Sequence, residues 1–475
     1  MSLRRFPRSW VLSATALGAA LGGCGKGGET GTADAGVADP CAWHVGPSLD
    51  AGACVIPGAD AGLTRLKTPL VKLAQLVGDE DLEYSPPAPT ENLTATRFGL
   101  TGTDRGSSFV HDGRLYFFFG DTNPTLEACD SARPFNADAI AVLDLPLTDA
   151  GIDPASLDAG LPLTFLTAAD GKWLPVTLDS KPLLRLNLPL VGFSSGADIY
   201  AFFSAPGYGS AVLGVAHDDG TAASLAAYTS LATVTANTAR MLNVFPVQMP
   251  ASSVAGLGTP WSGDTLLVWG RPADRDAGDP IYLAAAPFDH VADTSAWRFY
   301  AGGPPGAPTW SPGDENAQPV YVPDTAAGCN GSFSVTYLPG LDRWLLLDRC
   351  DGPLFAGPRR LLYRVAPSPV GPWSDERIFF DPATDRGYGR FMHVPGCDSD
   401  FTPPLVDPES GRSYWGPIGG VGGSQAYPYA PFVVGPTVRY DGATRTVSFL
   451  LLVSVWNPYS PMVMRATITA ADVGP

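Results

Sequence analysis

Short apolar runs bounded by glycine, proline and aspartate recur along most of the chain. The clearest is Leu115–Phe119, an unbroken aromatic-rich run too short for a helix, which reads as a strand buried on both faces. Asp112-Gly113 precedes it and tolerates the positive φ of a two-residue hairpin turn. Comparable turns stand at Ser195-Gly196, Ser262-Gly263-Asp264, Pro339–Asp342 and Asp441-Gly442, each followed by an apolar run: Ile199–Phe203, Leu266–Trp269, Trp344–Leu347 and Val447–Val455. Third strands are predicted at Ala139–Leu145, Ala211–His217, Ile281–Phe288, Arg360–Ala366 and Pro461–Ile468, and fourth strands near Trp173, Tyr228, Trp297 and Trp373. Such units, joined by Gly/Pro loops, predict an all-β, five-bladed β-propeller over residues 63–475. A pair of β-sandwiches would use the same strands. The last unit lacks a fourth strand, and Val71–Val77 is free to supply it and close the ring; a short amphipathic helix is the alternative there.

The chain has 475 residues, with 54 Gly and 47 Pro that suit a turn-rich β protein. Its start reads differently. Arg4, Arg5 and Arg8 precede the apolar stretch Trp10–Leu21 and then Leu21-Gly22-Gly23-Cys24. This resembles a lipoprotein signal peptide over residues 1–23, with lipidation at Cys24. Residues 24–62, rich in Gly, Ala and Asp, read as a flexible linker. The expectation is an exported, lipid-anchored protein, at the outer membrane or cell surface, and monomeric. The formal net charge of −17 argues against nucleic acid as a partner. Beyond Cys24 there are six cysteines, Cys41, Cys54, Cys129, Cys329, Cys350 and Cys397. An even number in an exported chain suggests disulfides, with Cys41–Cys54, Cys329–Cys350 and Cys129–Cys397 as the pairs expected. No zinc-type spacing, phosphate loop or nucleophile elbow occurs, so neither metal nor cofactor is expected.

The chemistry concentrates at one end of the predicted channel. Counting outward from a turn at Asp112-Gly113 sets Asp104 opposite Asp121, provided that Gly102 and Gly106 do not bulge the strand. Two facing carboxylates would keep one proton to higher pH. Equivalent strand ends fall near Ser204, Arg271, Asp348 and Asn457, with Arg105 beside Asp104. Such a ring of carboxylates and arginines suits glycosidic cleavage, which needs one carboxylic acid and one carboxylate base or nucleophile. Trp456, Tyr459, Tyr388 and Trp310 are candidate sugar platforms. His393 and Cys397–Asp400 are polar loop residues expected near the same end.

Two stretches carry a family resemblance: Gly102–Thr122 and Val455–Arg465 (VWNPYSPMVMR). Both resemble signatures of domain-of-unknown-function family 4185, some of whose members are endo-D-arabinanases of glycoside hydrolase family 183 acting on mycobacterial arabinan. The resemblance spans about 95 to 470 and implies a five-bladed propeller with Asp104 and Asp121 as catalytic carboxylates. It places Asn457 and Arg465 near the site. In Gly331-Ser-Phe-Ser-Val335 this chain carries Ser332 where the resembled pattern has Glu, with Asp348 as a candidate substitute. The expectation is an arabinan-type polysaccharide substrate, bound also by Arg105, Arg271, Asp348, Trp456, Asn457, Tyr459 and Arg465. A surface lipoprotein that binds a glycan or protein without cleaving it is the competing reading.

Overall fold

The computed structural model describes residues 62–474 except 82, 85–86, 126, 149–150, 158–159, 184–186, 205–209, 236–237, 259–260, 273–278, 324–331, 351–359 and 393–425. All described residues belong to the compact unit Pro40–Pro475. The expected leader, the expected lipidation site Cys24 and most of the expected linker lie outside them. So do His393, Asp400 and four of the cysteines, Cys41, Cys54, Cys329 and Cys397. Cys129 is disulfide-bonded.

The strands build a five-bladed propeller. The first, β1 (Val71–Gln75), belongs to the last blade. Blade 1 is β2 (Leu100–His111), β3 (Arg114–Pro124), β4 (Ala137–Leu143) and β5 (Leu163–Phe165). Blade 2 is β6 (Pro189–Ser195), β7 (Asp198–Phe203), β8 (Val212–His217) and β9 (Ala227–Thr233). Blade 3 is β10 (Asn243–Pro250), β11 (Asp264–Arg271), β12 (Ile281–Pro287) and β13 (Arg298–Tyr300). Blade 4 is β14 (Ser334–Leu338), β15 (Arg343–Cys350), β16 (Arg360–Ala366) and β17 (Arg377–Phe380). Blade 5 adds β18 (Pro428–Val433), β19 (Thr446–Val455) and β20 (Ser460–Thr469). The innermost strands β2, β6, β10, β14 and β18 touch in that order around the centre. There the Phe245 and Phe432 rings stack at 6.1 Å, joining blades 3 and 5.

The ring closes as expected: β1 pairs antiparallel with β20, from Val71 opposite Arg465 to Gln75 opposite Met462. Lys72 fixes this strand from its buried side, its Nζ 2.6 Å from Asp81 Oδ2 and 2.8 Å from Glu83 Oε2. Within blade 1, Asp112 and Gly113 both have positive φ (45° and 68°), as the hairpin turn requires. The fourth strand of this blade is β5, upstream of Trp173. Trp173 is instead fully buried beside it, forms an isolated bridge to Thr167 and donates its backbone N–H to Phe98 O. Between β10 and β11 the connection runs from Pro250 to Asp264 through a short 3-10 turn, longer than the predicted tight turn.

Candidate active site

The hairpin register follows the count from the turn only as far as Ser107, which pairs with Phe118. A bulge at Arg105-Gly106 then shifts it, so that Asp104 lies opposite Gly120 and not Asp121. Arg105 (φ 66°) and Gly106 (φ 106°) both adopt left-handed backbone there. Gly106 is required, because a Cβ would stand 2.4 Å from Leu452 Cδ1. A second irregularity falls in β3. Phe119 pairs with Ala139 and Thr122 with Ala137, leaving Gly120 and Asp121 opposite Asp138. Asp121 has φ 40°, a conformation costly for a non-glycine residue and held only where the surroundings impose it.

What imposes it is a third carboxylate. The Asp121 N–H, released from the ladder, donates to Asp138 Oδ1 at 2.9 Å. Asp138 is fully buried and its Oδ2 has no hydrogen-bond partner among the described residues. Burial, with the negative charges of Asp121 and Asp104, pushes its carboxyl well above the ordinary carboxylate range. Asp138 therefore keeps its proton to higher pH than an ordinary carboxyl does. A charged residue inside an otherwise apolar strand was the available signal, but a strand predicted to begin at Ala139 passed over it.

Tyr429 completes the group. Its hydroxyl donates to Asp104 Oδ2 at 3.0 Å. Burial and the Asp104 charge hold this phenol well above its usual range, so it remains a donor. The Tyr459 phenol, also raised by burial, faces Asp104 and Asp121. Trp456 stacks on Tyr427 at 5.7 Å and meets Tyr459 edge-on at 5.7 Å. Buried Asn457 lies in the same loop, between β19 and β20. That loop is tied to blade 1 by Thr103 N–H donating to Tyr459 O at 3.3 Å. Arg105 reaches across to donate from Nη1 to Ser332 Oγ at 3.0 Å. The carboxylates, Arg105, Trp456, Asn457 and Tyr459 thus gather at the end where β2 and β18 begin. Tyr429 escaped sequence reading because its strand is interrupted by Pro428 and Pro431, which erase the alternation.

The other expected residues make different contacts. Arg271 and Asp348 are fully buried and hold each other, Nη2 to Oδ2 at 3.0 Å, with Arg364 at 3.9 Å from the same oxygen. They form an ionic seam between blades 3 and 4, with Arg271 stacked 4.8 Å from the Phe333 ring. Arg465 pairs with Leu450 and Val71, five residues along the ladder from Val455–Ser460, or about 17 Å from the aromatic loop. Ser204 is buried, its N–H bonded to Leu188 O. Tyr388 is a core residue packed with Phe380 and Met392. Trp310 packs edge-on against Tyr300 in the outer part of blade 3.

A family model described as "Domain of unknown function (DUF4185)" matches residues 215–465, more than half of the chain. The Gly102–Thr122 hairpin lies outside that span. No curated protein matches the chain. Among solved structures, an α-L-arabinofuranosidase from Podospora anserina is similar at 12% identity and a TM-score of 0.42, over 85% of this chain and 98% of that one. A family 62 α-L-arabinofuranosidase from Coprinopsis cinerea is similar at 13% identity and a TM-score of 0.36, over 83% and 97%. An endo-1,5-α-L-arabinanase from Thermotoga petrophila is similar at 12% identity and a TM-score of 0.35, over 78% and 72%.

Proposed function

The chain belongs to the DUF4185 family, and on that premise we propose that it is a glycoside hydrolase that cleaves a furanosidic polysaccharide internally, as an endo-D-arabinanase does. One observation carries the reading: three carboxylates, Asp104, Asp121 and Asp138, converge at the end of the channel beside a cluster of aromatic side chains. Glycoside cleavage needs two carboxyl groups in different roles and a flat apolar surface for the sugar. Tyr429 orients Asp104 through its hydroxyl. We assign Asp104 as base or nucleophile. Asp121, only partly buried, is assigned as the acid that protonates the leaving oxygen. Asp138 reaches no substrate; it holds the strained Asp121 backbone and adds no charge while protonated. Trp456 and Tyr459 supply the platform. We further propose that the protein is exported and anchored by lipid at Cys24, monomeric, with the propeller presented to extracellular glycan.

The test is oligosaccharide release from mycobacterial arabinogalactan and from other furanans, followed by mass spectrometry of the soluble products. Release by the parent, and its loss in Asp104→Asn and Asp121→Asn, supports the reading. No release from any furanan by folded parent protein defeats it.

A further inference from the structure

Three buried arginines in this fold come with carboxylates. Arg271 is held by Asp348, Arg364 by Glu376, and Arg133 by Asp130 and Asp170. Arg105 differs from these three. It is 3% exposed, yet its described partners are all neutral. Nη1 donates to Ser332 Oγ at 3.0 Å, the guanidinium lies 5.3 Å from the centre of the Phe432 ring, and the backbone N–H donates to Ser454 Oγ. No carboxylate of the described residues comes within ion-pairing distance of it. Nε is buried without a partner; Nη2 also makes no hydrogen bond but is not sealed off. The unused Nε–Nη2 edge is the one that takes a carboxylate through two parallel hydrogen bonds. The side chain is also fixed in place. Its strained backbone (φ 66°) is part of the bulge, and Arg105 Cδ and Asp104 Oδ1 both lie over Gly120, where a Cβ would be within 2.9 Å of each. Burying a guanidinium with no carboxylate in direct contact is costly, and a ligand anion would lower that cost.

Resting on the glycan reading above, we propose that Arg105 forms an anion subsite beside Asp104, and that the natural substrate is a glycan carrying a carboxylate on, or on a substituent of, the sugar bound there. Ser332 sets this specificity, because its neutral hydroxyl orients the guanidinium without consuming its charge. A carboxylate at position 332 would fill the subsite from within.

The test uses the whole protein labelled with 15N-arginine and follows the arginine Nε–H resonances. Titrants are sodium D-glucuronate, D-glucose as its uncharged counterpart and inorganic phosphate, at constant ionic strength. The Arg105 resonance is identified by its disappearance in Arg105→Lys. The expected result is a saturable shift with glucuronate and none with glucose. In Ser332→Glu, which keeps Arg105, half-saturation should move up at least ten-fold; Ser332→Ala should keep the response. No shift with glucuronate overturns the proposal. A response to phosphate alone overturns the carboxylate assignment. An unchanged glucuronate response in Ser332→Glu removes Ser332 from it, and serves if Arg105→Lys does not fold. Because glucuronate offers no bond to cleave, the outcome is separate from catalysis. Oligosaccharide release from uncharged arabinan with no glucuronate response would leave the hydrolase standing and defeat only the anion subsite.

Discussion

Replacing Asp138 by asparagine separates the two roles of its carboxyl. An amide oxygen can accept the Asp121 N–H as Asp138 Oδ1 does at 2.9 Å. What the amide lacks is a proton to lose. In the parent, burial and then the Asp121 and Asp104 charges raise the Asp138 carboxyl well above its ordinary value of 3.8. The folded protein therefore holds this proton more tightly than the unfolded chain does. The stability that this provides is complete below the unfolded value and is lost as pH rises through the folded one. Asparagine has no such loss, so inside that window the variant gains on the parent by about 1.4 kcal/mol per pH unit. The gap should widen steadily as pH rises above the unfolded value. Urea unfolding of both proteins, followed by tryptophan fluorescence at several pH values, measures it. Asp138→Ala removes the acceptor and should cost about 1–3 kcal/mol even at low pH. Parallel stability curves for parent and Asp138→Asn would refute the reasoning, because they would mean that Asp138 ionises as freely in the fold as in the unfolded chain.

Three further outcomes are expected. Asp348→Ala leaves Arg271 buried without its carboxylate and should destabilise the protein by about 3–5 kcal/mol, read as a fall in urea midpoint; the double change Arg271→Met with Asp348→Leu should recover most of it. Gly120→Ala drives a methyl to 2.8 Å from Asp104 Oδ1, so polysaccharide cleavage should fall by about ten-fold or more for a misplaced catalytic group, with a smaller change in melting temperature than Asp348→Ala. His111, buried between blades 1 and 2, bonds Ser194 Oγ at 2.7 Å and Asp218 Oδ2 at 3.1 Å. His111→Ala should therefore cost about 2 kcal/mol without reducing cleavage at the opposite end of β2, as thermal melts and activity on the same samples would show.

Where residues speak through local patterns, the sequence was legible. Leu115–Phe119 could only be a doubly buried strand, and Asp112-Gly113 could only be its turn. The missing fourth strand of blade 5 pointed to Val71, because a closed ring leaves no edge unpaired. The site was harder, since its geometry depends on irregularities. One bulge at Gly106 turned the expected Asp104–Asp121 pair into a diagonal arrangement, and a second, at Gly120-Asp121, is where Asp138 enters. Neither can be counted from a regular register. Arg271 and Asp348 stand at the strand ends where ligand-facing groups were expected, but whether such a side chain points to the channel or to the next blade is decided by twist and neighbours. Their charges satisfy each other in the seam. Tyr388 and Trp310 illustrate the same limit for aromatics, which pack into cores more often than they offer a platform.

In the proposed reaction, Asp104 and Asp121 together cleave a glycosidic bond. Initial rates of oligosaccharide release from arabinogalactan, for parent, Asp104→Asn, Asp121→Asn and the remote surface variant Asp342→Asn, test it most directly, with circular dichroism and urea midpoints confirming that all four are folded. Losses of about a hundred-fold or more are expected in both site variants, as removal of an acid or base requires, and parental rates in Asp342→Asn. Parental rates in either folded site variant would contradict it.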